Sequence, residues 1–203
     1  AWQSCEMFIK ICGIRDAATA DACVGLGVDA LGFVFADGSV RQISAADAAA
    51  IVASVPESIE TVGVFTDAPT DSIVDDVRAA GLRTAQLHGP RSAAELEVLR
   101  AAGIDGILAR RVGEPVEDAS LRLLIDGDVP GSGTAFAVDR LDASTLPDRW
   151  ILAGGLDADN VAERIHLLQP TGVDISSGVE SSRGVKSIPL IEAFVGAVRG
   201  ISA

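Results

Sequence analysis

The sequence predicts an α/β fold of a single domain, arranged as a closed (β/α)8 TIM barrel. Three observations support this prediction. The chain has 203 residues, a length that suits one barrel domain. Eight short apolar runs alternate with amphipathic helical patterns along nearly the whole chain. The apolar runs also lack strict polar alternation, which is typical of strands that are covered on both faces.

The predicted elements follow one another in a regular order. The eight predicted strands are Met7–Cys12, Ala30–Phe35, Thr61–Phe65, Thr84–His88, Gly106–Ala109, Leu123–Asp126, Trp150–Ala153 and Gly172–Ser176. The six predicted helices are Asp16–Leu26, Ala45–Ser54, Asp71–Ala80, Ser92–Ala102, Ala158–Leu168 and Ile188–Val198. The segments 111–121 and 129–149 have weak helical content and are expected to be loops. We expect residues 7–203 to form the catalytic barrel domain and residues 1–6 to be an extension or remnant before it.

Several helix boundaries are marked by their residues. Ser92 begins the fourth helix, with Glu95 three residues on, as in a capping box. Gly81 and Gly103 follow the third and fourth helices, where a left-handed cap favours glycine. The alternative architecture is a doubly wound open sheet, which usually has five or six strands and often a glycine-rich loop after the first. No such loop follows the first strand here, so the barrel is favoured.

Composition excludes several classes of protein. A net charge of -13 argues against a nucleic-acid partner, because phosphate backbones attract clustered Lys and Arg. No run approaches 18 apolar residues, so no membrane partner is expected. Cys5, Cys12 and Cys23 form no CxxC pair and have no metal-ligand spacing, which indicates a reducing, cytoplasmic location without a metal. No long exposed apolar stripe is evident, so we expect a monomer.

Polar side chains concentrate where the predicted strands end, which is the end of a barrel that carries catalytic groups. The first strand ends in Lys10-Ile11-Cys12-Gly13. The thiol of Cys12 has three interpretations, namely apolar filler, nucleophile or proton-transfer base. The other strand ends and the loops after them contribute Arg41, His88, Asp126 and Asp174. This clustering of thiol, imidazole, carboxyl and guanidinium groups favours an enzyme.

The last two loops have the residues of a phosphate site. Gly154 and Gly155 follow the seventh strand and allow the backbone to approach an anion closely. Ser176, Ser177 and Gly178 follow the eighth strand and offer N–H groups and hydroxyls near a possible short helix. The alternative is that these glycines only form tight turns. Phosphate sites on these two loops recur among barrel enzymes, so a phosphorylated small-molecule substrate is expected.

Taken together, these segments resemble the phosphoribosylanthranilate isomerases of tryptophan biosynthesis over nearly the whole chain, from about Phe8 to Gly200. The resemblance is carried by Lys10-Ile11-Cys12-Gly13, Gly32-Phe33-Val34-Phe35, Arg41, Gly63-Val64-Phe65, Gln86-Leu87-His88-Gly89, Asp126, Leu152-Ala153-Gly154-Gly155-Leu156 and Val173-Asp174-Ile175-Ser176-Ser177-Gly178-Val179-Glu180. Any one of these segments alone would be weak, but the combination in this order is specific.

The resemblance implies a cofactor-free Amadori rearrangement of N-(5-phosphoribosyl)anthranilate to 1-(2-carboxyphenylamino)-1-deoxyribulose 5-phosphate. It also implies that Cys12 is the general base and Asp126 the general acid, and that Arg41 holds the anthranilate carboxylate. His88 is expected to line the site or to bond a neighbouring loop. Asp174 is expected to orient substrate hydroxyls or a loop, and Glu180 to organise its own loop.

These implied roles place demands on the groups. A free thiol has a pKa of about 8.5, so Cys12 needs nearby positive charge to become a thiolate, and Lys10 on the same strand face is a candidate source. An ordinary Asp pKa of about 3.9 must be raised for Asp126 to act as an acid.

The chain departs from the family pattern in two loops. Asp37 adds negative charge to the second loop, and the sixth loop, Pro130–Val138, loses its usual aromatic end. Two alternative functions would require other residues. A histidine-pathway isomerase would have an Asp in place of Cys12, and a catalytically silent phosphate-ligand sensor would have lost Cys12 or Asp126.

Overall fold

Eight parallel strands close into a barrel, which confirms the predicted fold class. The computed structural model describes residues 7–115, 120–127, 141 and 143–202. The strands pair in the order β1 to β8, and β1 pairs with β8 to close the barrel. Their bounds are Phe8–Cys12, Ala30–Val34, Glu60–Phe65, Thr84–His88, Asp105–Arg111, Arg122–Asp126, Trp150–Ala153 and Gly172–Ile175.

Six helices lie among the described residues, each within a few residues of its predicted place. They are α1 Ala17–Gly25, α2 Ala45–Val52, α3 Thr70–Ala79, α4 Ala93–Ala101, α5 Val161–Leu168 and α6 Ile188–Arg199. The capping box predicted at Ser92 is present, because Ser92 and Glu95 exchange side-chain and backbone hydrogen bonds. Gly81 and Gly103 have φ of +67° and +74°, the left-handed conformation expected after α3 and α4.

The fifth and sixth units differ from the others in the described part of the chain. No helix is described between β5 and β6, and the unit after β6 contributes only a short 3-10 helix, Ala143–Thr145. The predicted extension 1–6, which includes Cys5, and the predicted loop Pro130–Val138 lie outside the described residues. None of the described helices is long and apolar enough to cross a bilayer.

A small hairpin that sequence patterns did not predict follows β8. It comes after a 3-10 helix, Ser177–Val179, and pairs β9 Glu180–Ser182 with β10 Val185–Lys186 in antiparallel fashion. The hairpin lies between β8 and α6, at the end of the barrel where the βα loops converge.

The barrel interior changes from apolar to polar along its axis. Its apolar part is a buried cluster drawn from six strands, consisting of Phe8, Ala30, Val62, Ile107, Ala109, Leu124, Ile151 and Ala153. A larger apolar cluster fills the space between the strands and the helices. Further toward the C-terminal ends of the strands, Lys10, Gln86 and Asp174 are buried polar residues. Burying such groups is costly unless they are paired, so this layer is a candidate for function.

Candidate active site

One cavity of about 410 Å³ at the C-terminal end of the barrel contains all ten residues singled out from the sequence. Lining residues come from β1, β2, β3, β4, β6, β7 and β8 and from the loops that follow them. The ten are Cys12, Arg41, His88, Asp126, Gly154, Gly155, Asp174, Ser176, Ser177 and Gly178. Several strands therefore contribute chemistry to one space, as in barrel enzymes generally.

Cys12 lies at the end of β1 beside a buried ion pair. Lys10 is fully buried, and its Nζ donates to Asp174 Oδ1 at 2.8 Å, across the β1–β8 pairing. Gly32 on β2 leaves room for this group, because a Cβ there would come within 3.0 Å of Cys12 Sγ and 3.1 Å of Lys10 Nζ. The missing side chain at Gly32 therefore allows the thiol and the ammonium group to approach each other.

Burial decides the ionisation of this cluster. Desolvation raises the pKa of the Cys12 thiol above its usual value, although the charges of Lys10 and Lys186 oppose the shift. Burial would lower the pKa of Lys10, but the Asp174 carboxylate raises it above its usual value. The expectation that Lys10 favours the thiolate is right in sign, but the desolvation of Cys12 outweighs it. Burial therefore favours the protonated thiol of Cys12 in the free protein.

Two further polar residues of β4 face the cavity. Gln86 Nε2 lies 3.0 Å from His88 Nε2. Burial, together with the nearby charge of Lys10, lowers the pKa of His88 to about 4, so the ring is neutral at neutral pH. Gln86 is buried and lines the cavity, and its Oε1 has no hydrogen-bond partner among the described residues. Sequence reasoning included Gln86 in a motif but assigned it no role.

Asp126 ends β6, where it is partly exposed to the cavity. It pairs in register with Ala153 of β7 and Arg111 of β5. Because β1 and β6 are not neighbours in the barrel, the Cys12 thiol and the Asp126 carboxyl approach the cavity from different sides. A bound molecule can therefore lie between an acid and a base.

The loops after β7 and β8 pack directly against each other. Gly154 and Gly155 have φ of +90° and +60°. A Cβ on Gly178 would lie 2.0 Å from the carbonyl oxygen of Leu156, so only glycine fits this contact. The Ser176 hydroxyl donates to the carbonyl of Cys12 at 3.1 Å and so connects β8 to the end of β1. These contacts hold backbone without side chains close to the cavity, as an anion site requires.

Arg41 lies over the cavity in the loop after β2. Its guanidinium donates to the carboxylate of Glu180 at 2.6 and 2.9 Å. Lys186 donates to the same carboxylate at 2.9 Å. Sequence reasoning gave Lys186 no role, although it is one of only two lysines in the chain. Asp174, expected to orient substrate hydroxyls or a loop, lines the cavity and accepts a hydrogen bond from Lys10.

A parallel eight-stranded barrel with an acid, a thiol and glycine-rich loops in one cavity defines an enzyme of the (β/α)8 class. A family model described as N-(5'phosphoribosyl)anthranilate (PRA) isomerase matches residues 9–197. The N-(5'-phosphoribosyl)anthranilate isomerase of Magnetococcus marinus is 40% identical over 201 residues, 94% of each chain. The chain belongs to this family of isomerases.

Solved structures agree with this assignment. A crystal structure of TrpF from Jonesia denitrificans is similar with a TM-score of 0.85 at 36% identity, covering 97% of this chain and 98% of that one. A phosphoribosyl anthranilate isomerase in complex with reduced 1-(o-carboxyphenylamino)-1-deoxyribulose 5-phosphate has a TM-score of 0.82 at 30% identity. The two structures overlap over 96% of this chain and 99% of that one.

Proposed function

We propose that this chain catalyses the Amadori rearrangement of N-(5-phosphoribosyl)anthranilate to 1-(2-carboxyphenylamino)-1-deoxyribulose 5-phosphate in tryptophan biosynthesis. The observation that carries the proposal is the joint presence of Cys12 and Asp126 in one cavity beside the paired β7 and β8 loops. Family membership supports it, as does the similar isomerase bound to a reduced form of that product.

The reaction needs one acid and one base. Asp126 donates a proton to the furanose ring oxygen, the bond from that oxygen to C1 breaks, and the anthranilate nitrogen becomes an iminium. Cys12, as the thiolate, removes the proton from C2, and the electron pair moves to the iminium nitrogen and leaves an enolamine. The enolamine tautomerises to the ketone, and solvent exchange returns both groups to their starting states. The iminium nitrogen is the electron sink, so the proposal requires no cofactor.

The buried position of Cys12 fits a base that is activated only when substrate is bound. In the free protein, burial holds the pKa of the thiol above its usual value. Ring opening places a positive iminium charge next to the thiol, which favours loss of the thiol proton to solvent and so forms the thiolate; the charges of Lys10 and Lys186 act in the same direction. Such a device limits the unwanted reactivity of a permanent thiolate.

The remaining residues hold the two anionic ends of the substrate. We propose that Arg41 binds the anthranilate carboxylate, a task suited to a planar bidentate donor. The phosphate is proposed to lie on the backbone of Gly154, Gly155, Ser176, Ser177 and Gly178, because these loops form one side of the cavity. His88 contributes a neutral hydrogen-bonding ring, since its pKa lies near 4.

We further propose that residues 7–203 form one catalytic domain that acts as a monomer in the cytoplasm. Strands from Phe8 to Ile175 close a single barrel, which supports one domain. The exposed large apolar side chains of the described helices are divided among α4, α5 and α6, for example Val98, Leu167 and Leu190. Light scattering on the eluted protein should give the mass of one chain, and a dimer mass would refute this proposal.

The function is tested by following the loss of substrate fluorescence when the purified protein is mixed with N-(5-phosphoribosyl)anthranilate. We expect turnover of this compound and none of the related ribosylamine substrate of histidine biosynthesis. The opposite result would favour the histidine-pathway isomerase. Turnover of neither compound would refute the proposed function.

A further inference from the structure

Arg41 uses only one edge of its guanidinium on Glu180. Its Nε donates to Oε1 at 2.6 Å and its Nη2 donates to Oε2 at 2.9 Å. The guanidinium is a planar group with five N–H donors, so Nη1 and one hydrogen of Nη2 remain on another edge. The described part of the chain offers Nη1 no hydrogen-bond partner, and Arg41 lines the cavity. A complete bidentate donor edge is therefore available to an incoming carboxylate.

The Glu180 carboxylate is fully occupied by the groups around it. Besides Arg41, it accepts from Lys186 Nζ at 2.9 Å and from the backbone N–H of Gly184 at 3.0 Å. Its side chain is only 4% exposed. Although burial works in the opposite direction, the hydrogen bonds from Arg41, Gly184 and Lys186 lower the pKa of Glu180 to about 2. The Glu180 carboxylate is therefore negatively charged at neutral pH.

Both Glu180 and Lys186 are anchored by the hairpin that follows β8. Lys186 also donates to the Ser176 carbonyl at 2.8 Å and lies 3.3 Å from the Ser176 hydroxyl. That hydroxyl is itself bonded to the carbonyl of Cys12. The hairpin is thus connected to the β8 loop and to the end of β1, and its residue Glu180 binds the Arg41 guanidinium.

The stem of Arg41 packs against Gly13. A Cβ on Gly13 would lie 2.8 Å from Arg41 Cδ, so the stem packs directly against the backbone of the β1 loop. Contacts at both the stem and the guanidinium fix the direction in which the remaining donor edge points. The cluster contains two cations, Arg41 and Lys186, and one carboxylate, Glu180. Its net charge is therefore positive.

We propose that Glu180 is a positioning residue that makes the site selective for a substrate with a carboxylate on its aromatic ring. It holds Arg41 so that the second donor edge is ordered before substrate arrives. An unrestrained arginine would lose much of its rotamer freedom on binding, and that cost would weaken the affinity for the carboxylate. This inference rests on the proposed function, which supplies the anthranilate carboxylate.

The test compares two substrates, N-(5-phosphoribosyl)anthranilate and the aniline analogue that lacks the carboxylate. Glu180→Gln removes the charge that orients Arg41 while keeping the shape of the side chain. We expect KM for the anthranilate substrate to rise roughly 10-fold or more, as for a weakened hydrogen bond between charged groups. We expect kcat to change little and kcat/KM for the aniline analogue to stay as in the wild type. The ratio of the two kcat/KM values should therefore fall.

Two further variants separate positioning from structural damage. With Arg41→Ala as background, adding Glu180→Gln should cause no further loss of selectivity, because Glu180 acts only through Arg41. Glu180→Asp keeps the charge but retracts the carboxylate, so it should lower the ratio of the two kcat/KM values in part. If Glu180→Gln does not fold, Glu180→Asp tests the positioning role. Glu60→Gln is the matched control, since Glu60 is bound by both terminal nitrogens of Arg122 away from this cavity. It should leave the ratio unchanged.

The outcomes discriminate between the two levels of the proposal. If Glu180→Gln lowers kcat/KM equally for both substrates, or changes it for neither, the ratio of the two values is unchanged. Either result would overturn the positioning role alone. A wild-type protein that converts neither substrate would overturn the proposed function and this inference with it.

Discussion

Replacing Lys10 by Met should destabilise the barrel, because it leaves the Asp174 carboxylate buried without its partner. The Lys10 Nζ lies 2.8 Å from Asp174 Oδ1, and the two side chains are 0% and 9% exposed. Breaking a buried pair from one side costs about 3–5 kcal/mol. For a chain of this length that corresponds to a decrease in Tm of about 6–20 °C. Differential scanning calorimetry on both proteins measures the change.

The same substitution should make Cys12 harder to ionise. The charge of Lys10 lowers the pKa of the thiol, whereas that of Asp174 raises it. Lys10→Met should therefore move the alkylation of Cys12 by iodoacetamide to higher pH, with peptide mass spectrometry reporting the modified site. Each unit of upward shift lowers the thiolate fraction tenfold at pH values below the pKa.

A double variant serves as the control. Lys10→Met with Asp174→Asn removes both charges, so it should recover part of the lost stability and shift the alkylation profile less than Lys10→Met alone. If Lys10→Met melts within about 2 °C of the wild type, equivalent to less than 1 kcal/mol, the buried ion pair does not stabilise the fold as inferred. An unchanged alkylation profile would contradict the electrostatic link to Cys12.

Three other predictions each concern a single residue. The pKa of His88 falls from 6.5 to about 4 on folding, so the unfolded chain binds the proton at a higher pH than the folded protein does. The free energy of unfolding should therefore fall by about 3 kcal/mol as the pH drops from 6.5 to 4. Urea titrations at both pH values should show a smaller fall for His88→Gln. Gly178→Ala places a Cβ 2.0 Å from the Leu156 carbonyl oxygen, so the loop after β8 must move. We expect KM for the phosphorylated substrate to rise at least about tenfold. A KM within twofold of the wild type would refute the close packing of Gly178 against Leu156. Gly196→Ala in α6 meets no atom within 4 Å, so it should raise stability by about 0.5–1 kcal/mol in the same urea titrations, and a loss of stability would contradict that open position.

The predicted elements that agree best with the structure are those that short-range signals define. The strands Thr84–His88 and Trp150–Ala153 have the predicted bounds, because apolar runs end there at glycine or a polar residue. The α4 capping box is a contact between residues three apart, so the sequence alone contains both partners. In these cases the local preference and the barrel require the same conformation.

The contacts that order the site join residues far apart in the chain and could not be predicted from patterns. Arg41 and Glu180 are 139 residues apart, and Lys10 and Asp174 are 164 apart. The resemblance assigned Arg41 to a substrate carboxylate, but nothing in the sequence pairs it with Glu180. The ionisation of Cys12 depends on the competition between desolvation and charge, which burial in the closed barrel decides.

The central claim, that Cys12 is the base and Asp126 the acid, is tested most directly by single-turnover loss of N-(5-phosphoribosyl)anthranilate in Cys12→Ser and Asp126→Asn. Each variant should react at least about 100-fold more slowly than the wild type, the lower range of general acid–base catalysis, with substrate affinity retained. Cys23→Ser is the matched control, because Cys23 is buried in the apolar core on α1, does not line the cavity and takes no part in the proposed chemistry. Wild-type rates in either Cys12→Ser or Asp126→Asn would contradict the role given to that residue.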